Sequence, residues 1–331
     1  RARRDQGQVT YAALFSGAIV LGDQELAQWV LADPHNGLFF QLGISVSSEG
    51  IWYENSWSYH FYTLSAMALI AEAGRRIGLD LWGDPRLRAM CEVPARYLMP
   101  DGSLPRFADA TSGSLRYDHI MEPAAARYGT AVLGPLLARE ANFHSLLLGR
   151  ELTPHTPIQS MSSELMPGAG HVLLRTSGPG KLAAAATFGP HGGFHGHFDK
   201  LGFVFFGFER ELGVDPGRAI SQAYRLPIHS EWYRATISHN AVMVDGISQA
   251  EAKGEALLNI ANEQFAACVL TCNTAYPGVS QTRLLLLTPE YLLVHDALVA
   301  KQEHDFTWGY HHLADSVSCA AATAEAPHLP E

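Results

Sequence analysis

The sequence is short of charged residues, and of lysine in particular. Only 17% of its 331 residues are charged, below the roughly 25% typical of soluble domains, while 47% are apolar. Acidic side chains outnumber basic ones 33 to 23, the net charge is −10, and four of the basic residues are lysine. The lack of positive charge argues against a nucleic-acid partner, which needs a basic surface. The apolar content predicts a sizeable core, and the length suits about two domains.

Cysteines and long apolar runs are also scarce. Four scattered cysteines are too few for a disulfide framework, so the redox compartment stays open. No apolar run approaches the ~20 residues of a membrane span, so we expect none. Residues 1–21 faintly resemble a signal peptide, but no small-residue cleavage site follows. Since the chain begins without methionine, we interpret it as an excised or processed piece of something longer.

Hydrophobic periodicity divides the chain in two. Helical spacing predicts helices over residues 11–21, 24–32, 56–77, 85–97 and 122–148, with a long loop over 100–117. From about residue 168 the period changes to two, and the predicted strands are 171–176, 181–188, 201–211, 241–244, 265–271, 282–287 and 291–296. Short strands separated by turn signals favour an antiparallel sandwich over βαβ units. We therefore predict helices first, then an all-β region, joined near residues 153–167.

Histidine is abundant and clustered. Of 16 histidines, six fall between His171 and His239, and the densest stretch is His191-Gly-Gly-Phe-His-Gly-His-Phe-Asp199. His195 and His197 are two residues apart, so an extended strand points both imidazoles to one face. Asp215 and His239 lie at the ends of later strands. Imidazoles and a carboxylate from neighbouring strands suit zinc or a related divalent ion, so we predict a metal or catalytic site here.

The same stretch fits a competing interpretation. His197-Phe-Asp199 matches the His-x-Asp part of a two-histidine, one-carboxylate iron site, with His229 or His239 as the distal ligand. That arrangement would make the chain a β-sandwich oxygenase, and it leaves the helical half without a role.

Aromatic and polar residues gather at the start of the predicted helix 56–77. Trp52, Tyr53 and Trp57 could form a platform for sugar rings, with Glu54, Asn55 and His60 nearby. His60 lies three residues after Trp57, on the inward apolar face, where a histidine can equally be a satisfied core residue. A carbohydrate-binding module would need only the aromatic residues.

Several motifs together resemble heparinase II/III-type polysaccharide lyases. They are Trp52-Tyr-Glu-x-Ser-x-x-Tyr-His-x-Tyr62, Leu104-Pro-x-Phe-x-Asp109, His195-x-His-x-Asp199, Asp215-x-Gly217 and His239-Asn240. The resemblance covers roughly residues 50–245 well. It implies an α+β multidomain chain, with an incomplete α/α toroid over 1–165 and an antiparallel β-sandwich over 166–331. Fewer helices fit before residue 165 than the family's toroid uses, so we expect a partial toroid and a sandwich cut short at the alanine-rich tail.

The resemblance also implies a reaction. Such enzymes cleave the glycosidic bond at a uronic acid by β-elimination, so the expected partner is an anionic polysaccharide or oligosaccharide such as a glycosaminoglycan or alginate. Asn55 or His60 would neutralise the substrate carboxylate, with His60 preferred. Proton transfer would use His195 and the tyrosines Tyr117 and Tyr224, with Tyr128 as the fallback for Tyr117. The substrate-binding residues would be Trp52, Glu54, Trp57, Arg225 and Arg234.

The implied cofactor is one structural divalent metal ion. His197, Asp215 and His239 would bind it, with zinc expected first and manganese or calcium as alternatives, and Asp199 would orient a ligand. An inverting glycosidase using Glu54 and Asp109 is a further alternative, because such enzymes need two carboxylates across a cleft. Polymers of this kind are degraded outside the cell or in its envelope, so we expect a periplasmic or secreted protein. The oligomeric state is left open.

Overall fold

The helices occupy the first half of the chain. The computed structural model describes residues 6–111, 117–148, 150, 162–178, 180–219 and 225–313. Within them, the α-helices are α1 (Gln6–Leu21), α2 (Gln24–Ala32), α3 (Leu38–Ile44), α4 (Trp57–Arg75), α5 (Pro85–Arg96), α6 (Asp118–Tyr128), α7 (Thr130–Leu133) and α8 (Phe143–Leu148). No described helix is long and apolar enough to cross a membrane.

Antiparallel sheets of five, four and two strands follow among the described residues. The first has the order β1 (Glu164–Met166), β2 (His171–Arg175), β3 (Ala183–Thr187), β4 (Phe203–Gly207), β5 (Arg210–Gly213). The later strands along the chain are β6 (Val242–Val244), β7 (Glu255–Ala261), β8 (Ala266–Tyr276), β9 (Val279–Leu287), β10 (Leu292–Ala300) and β11 (Phe306–Trp308). The second sheet has the order β10-β9-β8-β7, and β11 pairs with β6. Helices followed by antiparallel sheets were predicted, and this is confirmed.

Two predicted elements were wrong in extent. The helix predicted over 122–148 is divided into α6, α7 and α8, because Gly129 has a φ of 84° and ends α6. The strand predicted over 201–211 is a hairpin of β4 and β5, with Phe208 and Glu209 at φ values of 53° and 61° in the turn. Left-handed backbone at both turn residues is typical of tight hairpins and is costly for residues other than glycine. Helix α3 and the strands β1, β7 and β11 were not predicted.

The first sheet is the central layer of the molecule. One face, including Leu173 and Val204, belongs to the apolar core beneath the helices. The opposite face, including Val172 and Leu174, packs with residues of the second sheet such as Leu285. Successive strand residues face opposite sides, so one sheet contributes to both cores. The helical half and the strands therefore share a core across the boundary predicted at 165/166, and residues 151–161 lie outside the described residues.

Candidate active site and metal centre

The site forms where the helical half meets the first sheet. The loop after α5 brings Asp109 to the glycine-rich segment 191–199, and the backbone N–H of Asp109 donates to the carbonyl of His195 at 3.1 Å. On the other side, the N–H of Phe198 donates to the carbonyl of Arg234 at 2.9 Å. The segment is thus fixed by backbone hydrogen bonds from two separate parts of the chain.

Asp109 binds two histidines with its two carboxylate oxygens. His195 Nδ1 lies 2.7 Å from Oδ2, and His197 Nε2 lies 2.9 Å from Oδ1. A third imidazole, His229, has Nε2 3.4 Å from Oδ1. Burial acts to raise the pKa of Asp109, but the hydrogen bonds from His195 and His197 outweigh it and hold that pKa well below its ordinary value. Asp109 is therefore a buried carboxylate anion among imidazoles.

His197, Asp215 and His239 form a buried group that could hold a metal ion. One possible ligand atom from each residue lies within 4.8 Å of the others. His239 Nδ1 is 2.8 Å from Asp215 Oδ2, and the second Asp215 oxygen accepts from the backbone N–H of Gly217. The structure brings together the three residues predicted as ligands.

Unpartnered nitrogens show that this group suits a metal ion. Within the described part of the chain, Nδ1 of His197 and Nε2 of His239 are buried and have no hydrogen-bond partner. Since His197 donates its Nε2–H to Asp109, its Nδ1 carries a lone pair, which is the form that binds metal. Two imidazoles and a carboxylate are typical of zinc, whereas calcium takes oxygen ligands.

The carboxylate of Asp199 pairs with Lys200 and is not part of the His-Asp-His group. Its Oδ1 accepts from Lys200 Nζ at 2.8 Å, and both side chains are buried. Burial acts to raise the pKa of Asp199, but the charge of Lys200 and the imidazoles of His239 and His197 keep it below its ordinary value. The carboxylate in the His-Asp-His group is that of Asp215, so the geometry does not favour the oxygenase, which needed Asp199 as a ligand.

His195 is enclosed on several sides. The ring of Tyr59 stacks on it with a centroid separation of 3.4 Å and an interplanar angle of 20°. Glu54 Oε1 lies 4.0 Å from Nε2, on the side away from Asp109. Since Asp109 and Glu54 are both buried and meet at one histidine, they do not face each other across an open cleft. With the pKa of Asp109 lowered, this pair does not suit the general acid and base of an inverting glycosidase.

Three residues expected to contact substrate are instead part of the core. His60 is 1% exposed, its Nδ1 accepts from the N–H of Trp52 at 3.3 Å, and its Nε2 donates to the carbonyl of Met90 at 3.0 Å. Burial lowers the pKa of His60 to about 4, so the ring is neutral. Trp52 is fully buried, and Trp57 packs against Tyr97. The carboxylate-binding role of His60 and the sugar platform of Trp52 and Trp57 do not fit this burial.

Asn55 and Arg234 hold parts of the protein together. Asn55 Nδ2 donates to the carbonyls of Ala169 at 3.2 Å and Pro190 at 3.5 Å, and thereby links the helical half to the sheet. Arg234 Nε donates to the carbonyl of Gly196 at 2.9 Å. Both side chains therefore support the segment that carries His195, which differs from the direct substrate contacts expected of them. Arg225 is exposed.

The tyrosines differ in what they contact. Tyr117 is half-buried and stacks on Phe61 at a centroid separation of 4.0 Å, and burial raises the pKa of its phenol. Tyr128 donates to the carbonyl of Trp82 at 2.8 Å and packs against that indole, which suits a structural residue better than the fallback catalytic role. Tyr224 lies outside the described residues.

The sequence did not show the full importance of Asp109, Tyr59 and His229. Asp109 and Tyr59 both stand in the quoted motifs, but the sequence indicates a role for Asp109 only in the glycosidase alternative. The sequence indicates a role for His229 only as the distal ligand of the alternative iron site. The available signal was the motif ending in Asp109 inside a long loop, because long loops in compact domains are often functional. Its partner lies 86 residues away, which the spacing alone does not reveal.

Two sequence families match the chain. The family described as Heparinase II/III-like, C-terminal matches residues 159–327, and the family described as alginate lyase matches residues 8–104. No curated protein sequence matches the chain.

Solved structures show the same fold at low sequence identity. The crystal structure of a heparinase III matches with a TM-score of 0.69 and 15% identity, over 88% of this chain and 46% of that one. The heparan sulfate lyase HepC from Pedobacter heparinus matches with a TM-score of 0.69 and 16% identity, over 91% of this chain and 47% of that one. The chain thus spans about half the length of the structures that it resembles. Because the Heparinase II/III-like, C-terminal match covers more than half of its residues, the chain belongs to the heparinase II/III-type polysaccharide lyase family.

Proposed function

We propose that this chain carries the active site of a polysaccharide lyase that cleaves a glycosaminoglycan or alginate at a uronic acid by β-elimination. The observation that carries the proposal is the contact of Asp109 with His195, which joins the helical half to the sheet in one site. An incomplete α/α toroid followed by an antiparallel β-sandwich is the architecture that we propose for it. A periplasmic or secreted location would give it access to such polymers.

β-Elimination makes three demands on the site. The uronic acid carboxylate must be neutralised so that the C5 proton becomes acidic, a base must take that proton, and an acid must protonate O4 as it leaves. The C5–H bond and the C4–O4 bond break, and a C4–C5 double bond forms. The product is therefore an unsaturated sugar, which hydrolysis does not give.

His195 is suited to take the C5 proton. Because Nδ1–H is donated to Asp109, the lone pair of the neutral ring is on Nε2. When Nε2 accepts a proton, the imidazolium lies between the carboxylates of Asp109 and Glu54, and opposite charges at this distance stabilise it. The same cation could instead pair with the substrate carboxylate. Tyr59 covers one face of the ring and limits its movement.

Tyrosine is the proposed acid. Since burial raises the pKa of Tyr117, its phenol keeps a proton at neutral pH and can donate it to the leaving O4. Tyr224 remains the proposed second tyrosine. Asn55 and Arg225 are the proposed partners of the substrate carboxylate, and Asn55 would have to exchange its backbone hydrogen bonds for the substrate.

His197, Asp215 and His239 are proposed to hold one divalent ion, with zinc ahead of manganese and calcium. When bound, the ion would supply a structural link between the segment of His195 and the ends of later strands. Asp109 binds both His195 and His197, so the group that orients the base also orients a ligand.

Supplying alginate, hyaluronan, chondroitin and heparan sulfate separately to the 331-residue chain tests the proposal. We expect unsaturated products, seen by their ultraviolet absorbance, from at least one polymer. His195→Ala should abolish them while the circular dichroism spectrum stays that of the wild type. Saturated products would contradict the proposal. It would also be contradicted if none of the four polymers gives a product and His195→Ala has no measurable effect.

A further inference from the structure

An exposed aromatic ring lies directly beside the proposed base. Phe194 is 74% exposed, yet it precedes His195 in a short 3-10 turn, Gly193–His195. The rings of Phe194 and His195 meet edge to face, with centroids 5.1 Å apart and an interplanar angle of 90°. Single exposed apolar side chains are common on proteins. The position of Phe194, and not its exposure alone, is what calls for an explanation.

The turn that carries Phe194 is tightly confined. Gly192 has a φ of 84°, and a Cβ there would lie 2.7 Å from the carbonyl oxygen of Glu54. At Gly196 a Cβ would lie 1.5 Å from the carbonyl oxygen of His191, so no other residue fits. Close backbone packing on both sides leaves the turn little room to rearrange. The fold therefore holds the ring of Phe194 in solvent, at an unfavourable free energy of exposing apolar surface.

A ligand that reacts at His195 would come within reach of this ring. Asp109 occupies Nδ1 of His195, and Tyr59 covers a face of its imidazole. The substrate group that contacts Nε2 is part of a sugar ring. The width of such a ring is comparable to the 5.1 Å that separates the centroids of Phe194 and His195. The ring of Phe194 can therefore pack against that sugar or its neighbour in the polymer.

The chemistry of the two rings is complementary. A pyranose has a rim of hydroxyl groups and a face of C–H bonds, whose weakly positive hydrogens suit the negative face of an aromatic ring. Packing the two together also removes apolar surface from water. Trp52 and Trp57 are buried and cannot serve in this way.

We propose that Phe194 is a sugar-stacking residue that positions a pyranose of the anionic polysaccharide beside His195. This assignment rests on the proposed function, since it takes its substrate class from it. Stacking orients the polymer before proton transfer, so Phe194 contributes mainly to substrate binding and less to the chemical step.

Kinetics of variants at Phe194 test the assignment. Phe194→Ala should raise KM on the cleaved polymer about tenfold or more, equivalent to about 1.4 kcal/mol of binding free energy, and change kcat less. Phe194→Trp should restore KM to near the wild-type value. Phe208→Ala is the matched control, because Phe208 is 66% exposed in the turn between β4 and β5. It should leave both constants unchanged.

A KM of Phe194→Ala within twofold of the wild type, or a Phe194→Trp variant no better than Phe194→Ala, would overturn the assignment. Equal thermal unfolding midpoints for all variants show that the fold is kept.

Direct binding separates this assignment from the proposed function. Saturated oligosaccharides of the four polymers are titrated into His195→Ala and into the double variant that adds Phe194→Ala. Binding that depends on Phe194, with no unsaturated product from the wild type, supports the stacking residue and rejects the lyase. Cleavage with binding independent of Phe194 rejects the stacking residue and keeps the lyase. If the oligosaccharides do not bind and no polymer is cleaved, both the stacking role of Phe194 and the lyase are rejected.

Discussion

Oδ2 of Asp109 accepts a hydrogen bond from Nδ1 of His195 at 2.7 Å, across 86 residues of sequence. The other oxygen of the same carboxylate accepts from His197, a member of the candidate metal group. One buried side chain thus orients both the proposed base and a proposed metal ligand. This double contact makes Asp109 the most informative position to change.

Replacing Asp109 should damage two properties at once. Asp109→Asn keeps the shape but removes the charge, and it leaves one oxygen to accept from two histidines, because the amide NH2 can only donate. We expect kcat to fall by about 10²–10⁴, the range of general acid–base catalysis, with a smaller change in KM. Affinity for the bound metal should fall about 10–100-fold, as for other groups that orient metal ligands. Activity assays and metal titration of the same preparations measure both effects.

The matched control is Asp101→Asn, an exposed carboxylate in the same loop that caps Ser103. It should leave kcat and metal affinity as in the wild type. A variant of Asp109 with unchanged kcat and unchanged metal affinity would show that the carboxylate does not orient the site.

Metal binding should stabilise the folded chain. The group His197, Asp215 and His239 is buried and joins distant segments, so an ion bound to the native state and not to the unfolded chain raises stability by mass action. At a free zinc concentration of about 100 times Kd the gain is about 2.7 kcal/mol. Calorimetry with added zinc and then with a chelator, together with elemental analysis, measures the shift in Tm and the metal content.

His239→Gln should abolish the response to zinc and chelator, whereas His295→Gln, on the exposed side of β10, should keep it. Equal Tm values of the wild type with zinc and with chelator would argue against a metal at this position.

Arg283 should be important for stability. It is buried, forms a two-fold hydrogen-bonded ion pair with Asp296 at 2.7 and 2.8 Å, and donates to the carbonyls of Leu201 and Asn240. Arg283→Met leaves the carboxylate and both carbonyls without this partner, and removing one member of a buried pair costs about 3–5 kcal/mol. Asp296 is partly exposed, so we expect the lower end of that range.

Urea unfolding measures the loss. Arg88→Met, which removes an exposed pair with Glu92, should leave the stability close to that of the wild type. If the unfolding free energy of Arg283→Met is no lower than that of Arg88→Met, the stabilising role of Arg283 is refuted.

Acid should destabilise the protein through its buried histidines. Burial lowers the pKa of His60 from 6.5 to about 4, and that of His171 from 6.5 to about 3. Below about pH 6.5 the unfolded chain therefore binds protons that the folded chain does not, so stability is fully present above that pH and falls towards pH 4. Each histidine contributes a slope of about 1.4 kcal/mol per pH unit in this window.

Urea unfolding between pH 7 and pH 4 tests this slope. His60→Gln lowers stability at every pH, since it removes two backbone contacts. It should also reduce the slope of the unfolding free energy against pH, by the contribution of about one proton. A His60→Gln profile parallel to that of the wild type would contradict the assignment.

Much of the site could be predicted from local sequence. The clustered His195 and His197, with Asp215 and His239 at later strand ends, predicted a metal or catalytic site. The family resemblance implied His197, Asp215 and His239 as the ligands, and the structure brings these three together. The alternation of apolar residues likewise predicted β2 and β3 to within a few residues. The strands could be predicted because the alternation of side chains depends on backbone geometry over short distances, which repeats wherever the same spacing occurs.

The sequence by itself determined the order of helices and strands and the residue types available for chemistry. Only the tertiary structure decided which side chains are exposed and which atoms are free to react. Trp52 and Phe194 are both aromatic residues in quoted motifs, yet one is fully buried and the other 74% exposed. His60 and His195 are both histidines of the quoted motifs, yet His60 bonds two backbone groups and His195 bonds Asp109. The physical reason is that burial and hydrogen bonding depend on neighbours in space, and the decisive neighbour of His195 lies 86 residues away along the chain.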